Sequence, residues 1–422
     1  MKKQEKSKKN NKKKKFKKTK LGKLLFLFSN DKNNYSFSEV FGITIISLIL
    51  GAFTCLSVLT IIFGGTNYFK LSKELGKFYD AYVTLSDNYY GSVDKNNLID
   101  AAIYGMADSV GDVYTNYSDV EDTTKFDQLV TGTYEGIGCT IAKSEDKIIV
   151  VDVYDNTPAQ KSGLKRNDII AKVDDIDAST STSIAISNYI KYEAKGKINM
   201  VIIRDKEEIT ITLERAEVEI PAIGSQIYEK NGKKIGYISI SIFSSVSSKQ
   251  FENKLKELNK QNIDGLVLDV RGNSGGYLSS VTEISSLLLP KGKIIYQVEK
   301  DNKTKITKDT TKEHVKYPIA ILVNGGSASA SEILAGVIKE SYEGYVVGTK
   351  TYGKGTVQQV KKLSDGSMIK YTIENWLTPL GNWIDKEGIT PTHIEELSEE
   401  YYKKLTVETD NQLQKALELV SN

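Results

Sequence analysis

Cysteine and histidine are nearly missing from this 422-residue chain, which holds two of each. Cys55 lies inside an apolar run and Cys139 far beyond it. They are badly placed to pair, so no disulfide framework and no cysteine metal site is on offer. His314 and His393 stand in charged or irregular surroundings, outside the glycine- and serine-rich motifs of the chain. A serine hydrolase built on a histidine base is therefore disfavoured, and no metal or other cofactor is expected. A basic face is lacking too. The net charge of +3 hides an asymmetry, because 13 of the first 23 residues are lysine and the remainder is net acidic. That excludes an evident nucleic-acid surface and leaves the lysine run as a solvated tail beside a membrane.

Beyond the tail lies the uncharged run Phe41 to Phe63, FGITIISLILGAFTCLSVLTIIF. Its length matches the roughly 20 residues that cross a bilayer. The expected order is a basic cytoplasmic tail at 1–40, a transmembrane helix at 41–63, and everything after Gly64 outside the cytoplasm. A cleaved signal peptide competes with this reading, but the run is long and no small-x-small site comes cleanly after it.

Leu71, Leu75, Phe78, Tyr82 and Leu85 recur at helical spacing, and a second run spans Leu98 to Val110. They predict a helical N-terminal module over 71–131, against the plainer alternative of a stalk. From Tyr134 to Glu214 short alternating segments predict strands at Ile148–Val153, Ile169–Val173, Ile198–Ile203 and Ile209–Leu213, with a helix around Ser183–Ile190. Here a compact domain over 132–216 resembles a PDZ domain. The matching residues are the Gly136-Ile137-Gly138-Cys139 loop, Asn156-Thr157-Pro158-Ala159 leading to Gly163-Leu164, and Asn167-Asp168-Ile169-Ile170. Successive amides in a glycine-containing turn make a nest for an anion, and an open strand edge accepts an extra strand. A chain terminus offers both a carboxylate and an extended backbone.

Over 217–395 strands and helices alternate, which predicts a layered α/β core. Leu266 to Val270 and Ile319 to Val323 read as buried strands ending in glycine-rich turns. The interval Lys300–Lys316 reads as an exposed loop or hairpin, and 396–422 as an acidic helical tail of no legible role. The turn after the second strand is Asn324-Gly-Gly-Ser-Ala-Ser-Ala-Ser-Glu332, opening a helix. A serine there is ordinarily a cap, although small neighbours also let a substrate backbone approach. Gly348 to Lys354 imitates a phosphate-binding loop, but Gly355 stands where that motif needs Ser or Thr. Lys354 is either a plain turn lysine or, if buried, a base. For the latter its pKa must fall from about 10.4 by roughly 3 units, which desolvation can impose.

The span from Leu71 to Pro391 is similar to the carboxyl-terminal processing (tail-specific) serine peptidases. The resemblance is carried by Leu266-Val-Leu-Asp-Val-Arg-Gly-Asn-Ser-Gly-Gly276, by Ser327 to Leu334 and by Thr351 to Gln358. It implies a crotonase-like peptidase core with Ser329 as nucleophile, Lys354 as general base and Gln358 orienting the lysine. It also implies an oxyanion hole from the amides of Gly275 and Ala330, and peptide binding at Gly136, Ile137, Gly138 and Cys139. Ser274 stands where the family usually has proline, and Glu340 where some members have aspartate, so Glu340 is left outside the set. The whole is expected to be an α/β multidomain, membrane-anchored serine endopeptidase acting on extracytoplasmic proteins with apolar C-termini. A homodimer through the helical module and the tail is a further expectation. The rivals are a non-catalytic PDZ scaffold and an acyl-transfer enzyme of crotonase type.

Overall fold

The computed structural model describes residues 37–62, 68–311 and 314–422. The lysine-rich part of the expected cytoplasmic tail therefore lies outside the described residues, as does Phe63 at the end of the expected span. The chain forms two compact units, divided between Ile99 and Asp100.

In the first unit, helix α1 (Phe37–Ile62) contains the apolar run. Its stretch Val40–Val58 is long and apolar enough to cross a membrane, and none of that stretch is buried. Thr44, Thr54 and Ser57 each turn their hydroxyl back to the carbonyl four residues earlier at 2.8 Å. These three hydroxyls are thus satisfied by the helix's own backbone. Helix α2 (Tyr68–Asn88) comes next, and α3 (Lys95–Asp108) leads into the second unit. The helical reading of 71–131 fails between α3 and α4 (Val120–Thr131), where strand β1 (Asn116–Ser118) intervenes.

The second unit begins its small domain with β2 (Thr133–Gly136), β3 (Cys139–Ser144) and β4 (Lys147–Val153), then a short helix α5 (Pro158–Lys161). β5 (Ile169–Val173), β6 (Ile176–Asp177), helix α6 (Ser183–Asn188), β7 (Lys197–Arg204) and β8 (Glu207–Glu214) complete it. The sheet order β3-β4-β5-β7-β8 leaves β3 as an open edge. Alternation buries Ile148, Val150, Ile198, Met200 and Ile202 on one face. β9 (Ala216–Glu219) returns to pair with β2, so two adjacent strands tie this domain to the rest.

The larger core is built on β10 (Ile223–Lys230), β11 (Lys233–Ile240) and β12 (Gly265–Asp269), with α7 (Ser247–Asn259) and α8 (Leu278–Leu288). β13 (Ile294–Lys300) and β14 (Lys303–Lys308) form the hairpin that the Lys300–Lys316 interval foreshadows. β15 (Ile319–Val323), α9 (Ala330–Gly336), β16 (Tyr345–Gly348), β17 (Thr356–Lys362), β18 (Met368–Leu377) and β19 (His393–Ile394) complete the core strands. The main sheet runs β10-β11-β12-β15-β16-β19, parallel from β11 onward. β15 throughout and β12 up to Leu268 are apolar because both faces of the sheet are covered. One face packs Phe251, Leu255, Ile284 and Leu334 from α7, α8 and α9.

The other face meets the C-terminal tail, which is no appendage. After α10 (Glu399–Lys403), helix α11 (Asn411–Ser421) sets Leu413, Ala416, Leu417 and Val420 against Val267, Ala320, Leu322 and Val347. Gly265 permits this, since a Cβ there would lie 2.8 Å from the Val420 carbonyl oxygen. A second, antiparallel sheet β1-β18-β13-β14, with β17 on β18, draws all its strands but β1 from the same stretch of chain, and β1 brings the segment before α4 to the core.

Candidate active site

Three serines alternate in the turn between β15 and α9, and the fold separates them by use. Ser327 Oγ donates to the Val270 carbonyl at 2.7 Å and Ser331 Oγ to the Asn273 carbonyl at 2.8 Å, both fully buried. These bonds pin the turn to the glycine-rich loop after β12. Ser329 alone stays partly exposed. Its backbone sits at φ 55°, ψ −114°, a strained conformation for a residue with a Cβ. A strand-to-helix turn bent this way thrusts a side chain out of the turn, as in nucleophile elbows.

The loop after β12 closes on it from the other side. A Cβ on Gly275 would fall 2.8 Å from Ser329 Cβ and 3.1 Å from the Ala330 nitrogen, so only glycine fits, at φ 111°. The two amides expected to form an oxyanion hole thus belong to adjoining backbones. In this conformation the Gly275 N–H donates to Asn273 Oδ1 at 2.8 Å. The Ala330 amide, at the first position of α9, has no backbone acceptor among the described residues.

Lys354 arrives between β16 and β17. Gly353 and Gly355 let residues 385–388 press close, for a Cβ at either would come within 3.0 Å of that backbone. The Lys354 carbonyl accepts from Trp376 Nε1 at 2.7 Å. Burial, then the nearby charge of Lys370, push the ammonium down to about 8, against the pull of Asp112 and Glu332. At pH 7.5 roughly a quarter of such lysines are neutral, against about one in a thousand for a free lysine.

Glu332, in the first turn of α9, joins the two halves. Its carboxylate is fully buried and accepts four hydrogen bonds. Thr351 Oγ1 and the Gly353 amide reach Oε1 at 2.6 and 2.7 Å, while the Ser329 and Lys354 amides reach Oε2 at 2.8 and 2.9 Å. Four donors, two of them from the expected nucleophile and base themselves, fix the relative placement of two backbones 25 residues apart in sequence.

Side-chain contacts within the expected set are open. Among the described residues no hydrogen bond links Ser329 Oγ to Lys354 Nζ or Gln358 to Lys354; instead Gln358 Nε2 donates to Thr356 Oγ1 at 2.8 Å and Thr372 Oγ1 at 3.3 Å. Glu340 braces a turn, accepting from the Leu380 amide at 2.8 Å. Arg271 binds Asp269 in β12 and, through Nη1, Asp410 and Gln412 at 3.0 Å, so this motif arginine clamps the C-terminal helix. Sequence reasoning missed Tyr114 and Asp112. The Lys354 ammonium lies 4.8 Å from the centre of the Tyr114 ring, and Asp112 accepts from Thr372 Oγ1 at 2.6 Å. No local pattern marks a residue 240 positions away from its partner.

In the small domain, the loop Gly136 to Cys139 lies beside the open edge of β3. Ile137 and Gly138 turn their carbonyls to Ala159 and Tyr154, and no backbone carbonyl among the described residues accepts from their own amides. Gly138, at φ 85°, packs directly on Thr157. Tyr134, Ile137, Cys139 and Ile141 face Ser187, Ile190 and Lys191 across a slot of about 30 Å³. Burial pushes the Cys139 thiol up to about 12, which makes it an apolar wall rather than a nucleophile.

Three family models match the chain. Residues 234–394 match peptidase family S41, 136–214 match the PDZ domain, and 64–123 match the N-terminal domain of the activating protease CtpB. The chain is 39% identical over 327 residues to the carboxy-terminal processing protease CtpB of Bacillus subtilis, covering 76% of this chain and 67% of the relative. It is 34% identical to CtpA of the same organism, covering 81% and 71%. A probable CtpA-like serine protease of Staphylococcus aureus is 32% identical, covering 82% and 71%.

Proposed function

This chain belongs to peptidase family S41, the carboxyl-terminal processing serine peptidases with a PDZ domain, and we propose that it is an endopeptidase in which Ser329 is the nucleophile and Lys354 the general base. The observation that carries the reading is the suspension of both residues from one buried carboxylate oxygen, Glu332 Oε2. Neutral Lys354 takes the proton from Ser329 Oγ as the oxygen attacks the scissile carbonyl carbon. The negative charge that develops on the carbonyl oxygen is met by the Ala330 amide at the start of α9, where the helix dipole also favours an anion. Collapse expels the amine, which takes its proton from Lys354. The resulting ester to Ser329 is hydrolysed by water with Lys354 again as base. In this mechanism the second oxyanion donor is the Gly275 amide, released from Asn273, and Gln358 swings from Thr356 to orient the lysine. Substrate binding closes these contacts.

The PDZ domain supplies the substrate: an apolar C-terminal tail adds as a strand to β3 and sets its carboxylate on the amides of Ile137 and Gly138. The narrow slot beside Cys139 favours a small terminal side chain. We place α1 across the cell membrane, with the lysine-rich tail cytoplasmic and the crotonase-like core outside. Replacing Ser329 or Lys354 by alanine tests the dyad: cleavage of an unstructured protein at the wild-type rate by either variant would refute it. Labelling of Ser329 by a fluorophosphonate, lost in Ser329→Ala, separates the peptidase from a silent scaffold.

A further inference from the structure

The segment Asp112–Thr115 precedes β1, outside the glycine-rich loops that carry the chemistry, yet it is bolted to the site at several points. Asp112 Oδ2 accepts from Thr115 Oγ1 and Thr372 Oγ1, each at 2.6 Å, and the Tyr114 amide donates to Asp112 Oδ1 at 3.1 Å. The Thr372 amide donates back to Thr115 Oγ1 at 3.3 Å. The Tyr114 hydroxyl also faces the side chain of Tyr352, two residues before Lys354. Between these fastenings the Tyr114 ring lies over the Lys354 ammonium, 4.8 Å from centroid to Nζ.

We propose that Tyr114 is a positioning residue for the general base: its ring roofs Lys354 Nζ, holds the amine aimed at Ser329 and keeps water from it. This rests on the assignment of Lys354 as base. The charged and titratable groups around Lys354 are Lys370 on β18, Asp112 on the same segment as Tyr114, and Glu332 on α9. Tyr352 and Asp385 face Tyr114 itself. The ring's negative face and both carboxylates favour the ammonium. The lysine is lowered nevertheless, with burial as the first cause. Exclusion of water therefore outweighs attraction, and the ring is one of the walls that exclude it.

Opening the roof hydrates the ammonium and moves the lysine up toward its ordinary value, so less neutral base exists at neutral pH. The experiment measures kcat/KM against pH for the full chain, wild type beside Tyr114→Phe and Tyr114→Ala. For Tyr114→Ala the midpoint of the acidic limb is expected to rise by about 0.5–1 unit, a three- to tenfold loss at pH 7 that shrinks toward pH 10. Tyr114→Phe, which keeps the ring, should keep the wild-type midpoint. A Tyr114→Ala midpoint that stays or falls, or a deficit equal at every pH, overturns the proposal, the latter being what mere structural damage gives. If Lys354→Ala retained activity, the dyad itself would have failed, an outcome distinguishable from either.

Discussion

The Ser329 and Lys354 amides donate to the same atom, Glu332 Oε2, at 2.8 and 2.9 Å. Because Oε1 is filled by Thr351 and Gly353, all acceptor positions of this buried carboxylate serve the two loops that must meet. Glu332→Gln replaces one oxygen by a donor that faces two donors. We expect a loss of about 3 kcal/mol in urea unfolding, in the range for charged hydrogen bonds removed from buried partners. Proteolysis should fall by at least about 10-fold even well below the unfolding temperature, since a small displacement of a reacting group carries a cost of that order or larger.

Lys370 predicts a second, purely electrostatic effect. Its charge is a cause, after burial, of the lowered Lys354. A general base with pKa about 8 gives an acidic limb with its midpoint near pH 8, activity falling tenfold per pH unit below it. Lys370→Gln removes the like charge, so the Lys354 ammonium becomes easier to hold and the midpoint moves upward. The check is the pH profile of kcat/KM at low salt. A midpoint that shifts downward contradicts the account.

The strands were legible because burial writes itself locally. Ile319 to Val323 matches β15 residue for residue, and Ile169 to Val173 matches β5. Ser329 and Lys354 stand inside motifs long enough to be recognised. Glu332 stands in one as well, yet a glutamate three residues after a helix-opening serine reads as a cap. Its reach to Thr351, Gly353 and Lys354 is set by the packing of β15 beside β16, which no spacing announces. Tyr114 and Asp112 were hidden in the same way, by the pairing of β1 with β18.

The backbone of Ser329 offers a test of stored strain. At φ 55° a Cβ is crowded at a cost of about 1–3 kcal/mol, whereas glycine occupies such angles freely. Glycine loses about 0.5–1 kcal/mol of this through its freer unfolded chain. Ser329→Gly should therefore be more stable than Ser329→Ala by about 1 kcal/mol in urea unfolding, while both lose proteolysis by at least about 10³-fold. Equal stabilities would mean that the turn relaxes once the hydroxyl is gone.

The C-terminal helix carries the last prediction, and it separates a tail from a core layer. Leu413, Ala416, Leu417 and Val420 fall at positions i, i+3, i+4 and i+7, one face of α11, and that face covers strands whose side chains are otherwise fully buried. Arg271 locks the helix start by gripping Asp410 and Gln412. Leu417 is 2% exposed, so Leu417→Ala should cost about 2–5 kcal/mol of unfolding free energy. Lys415→Ala, on the outer face, should cost under about 0.5 kcal/mol. Removing residues 411–422 uncovers Val267, Ala320, Leu322 and Val347, and the shortened chain should aggregate or melt far below the full one. If it instead kept its melting temperature and its activity, the sheet would need another cover, and α11 would be the appendage that the acidic tail 396–422 suggests.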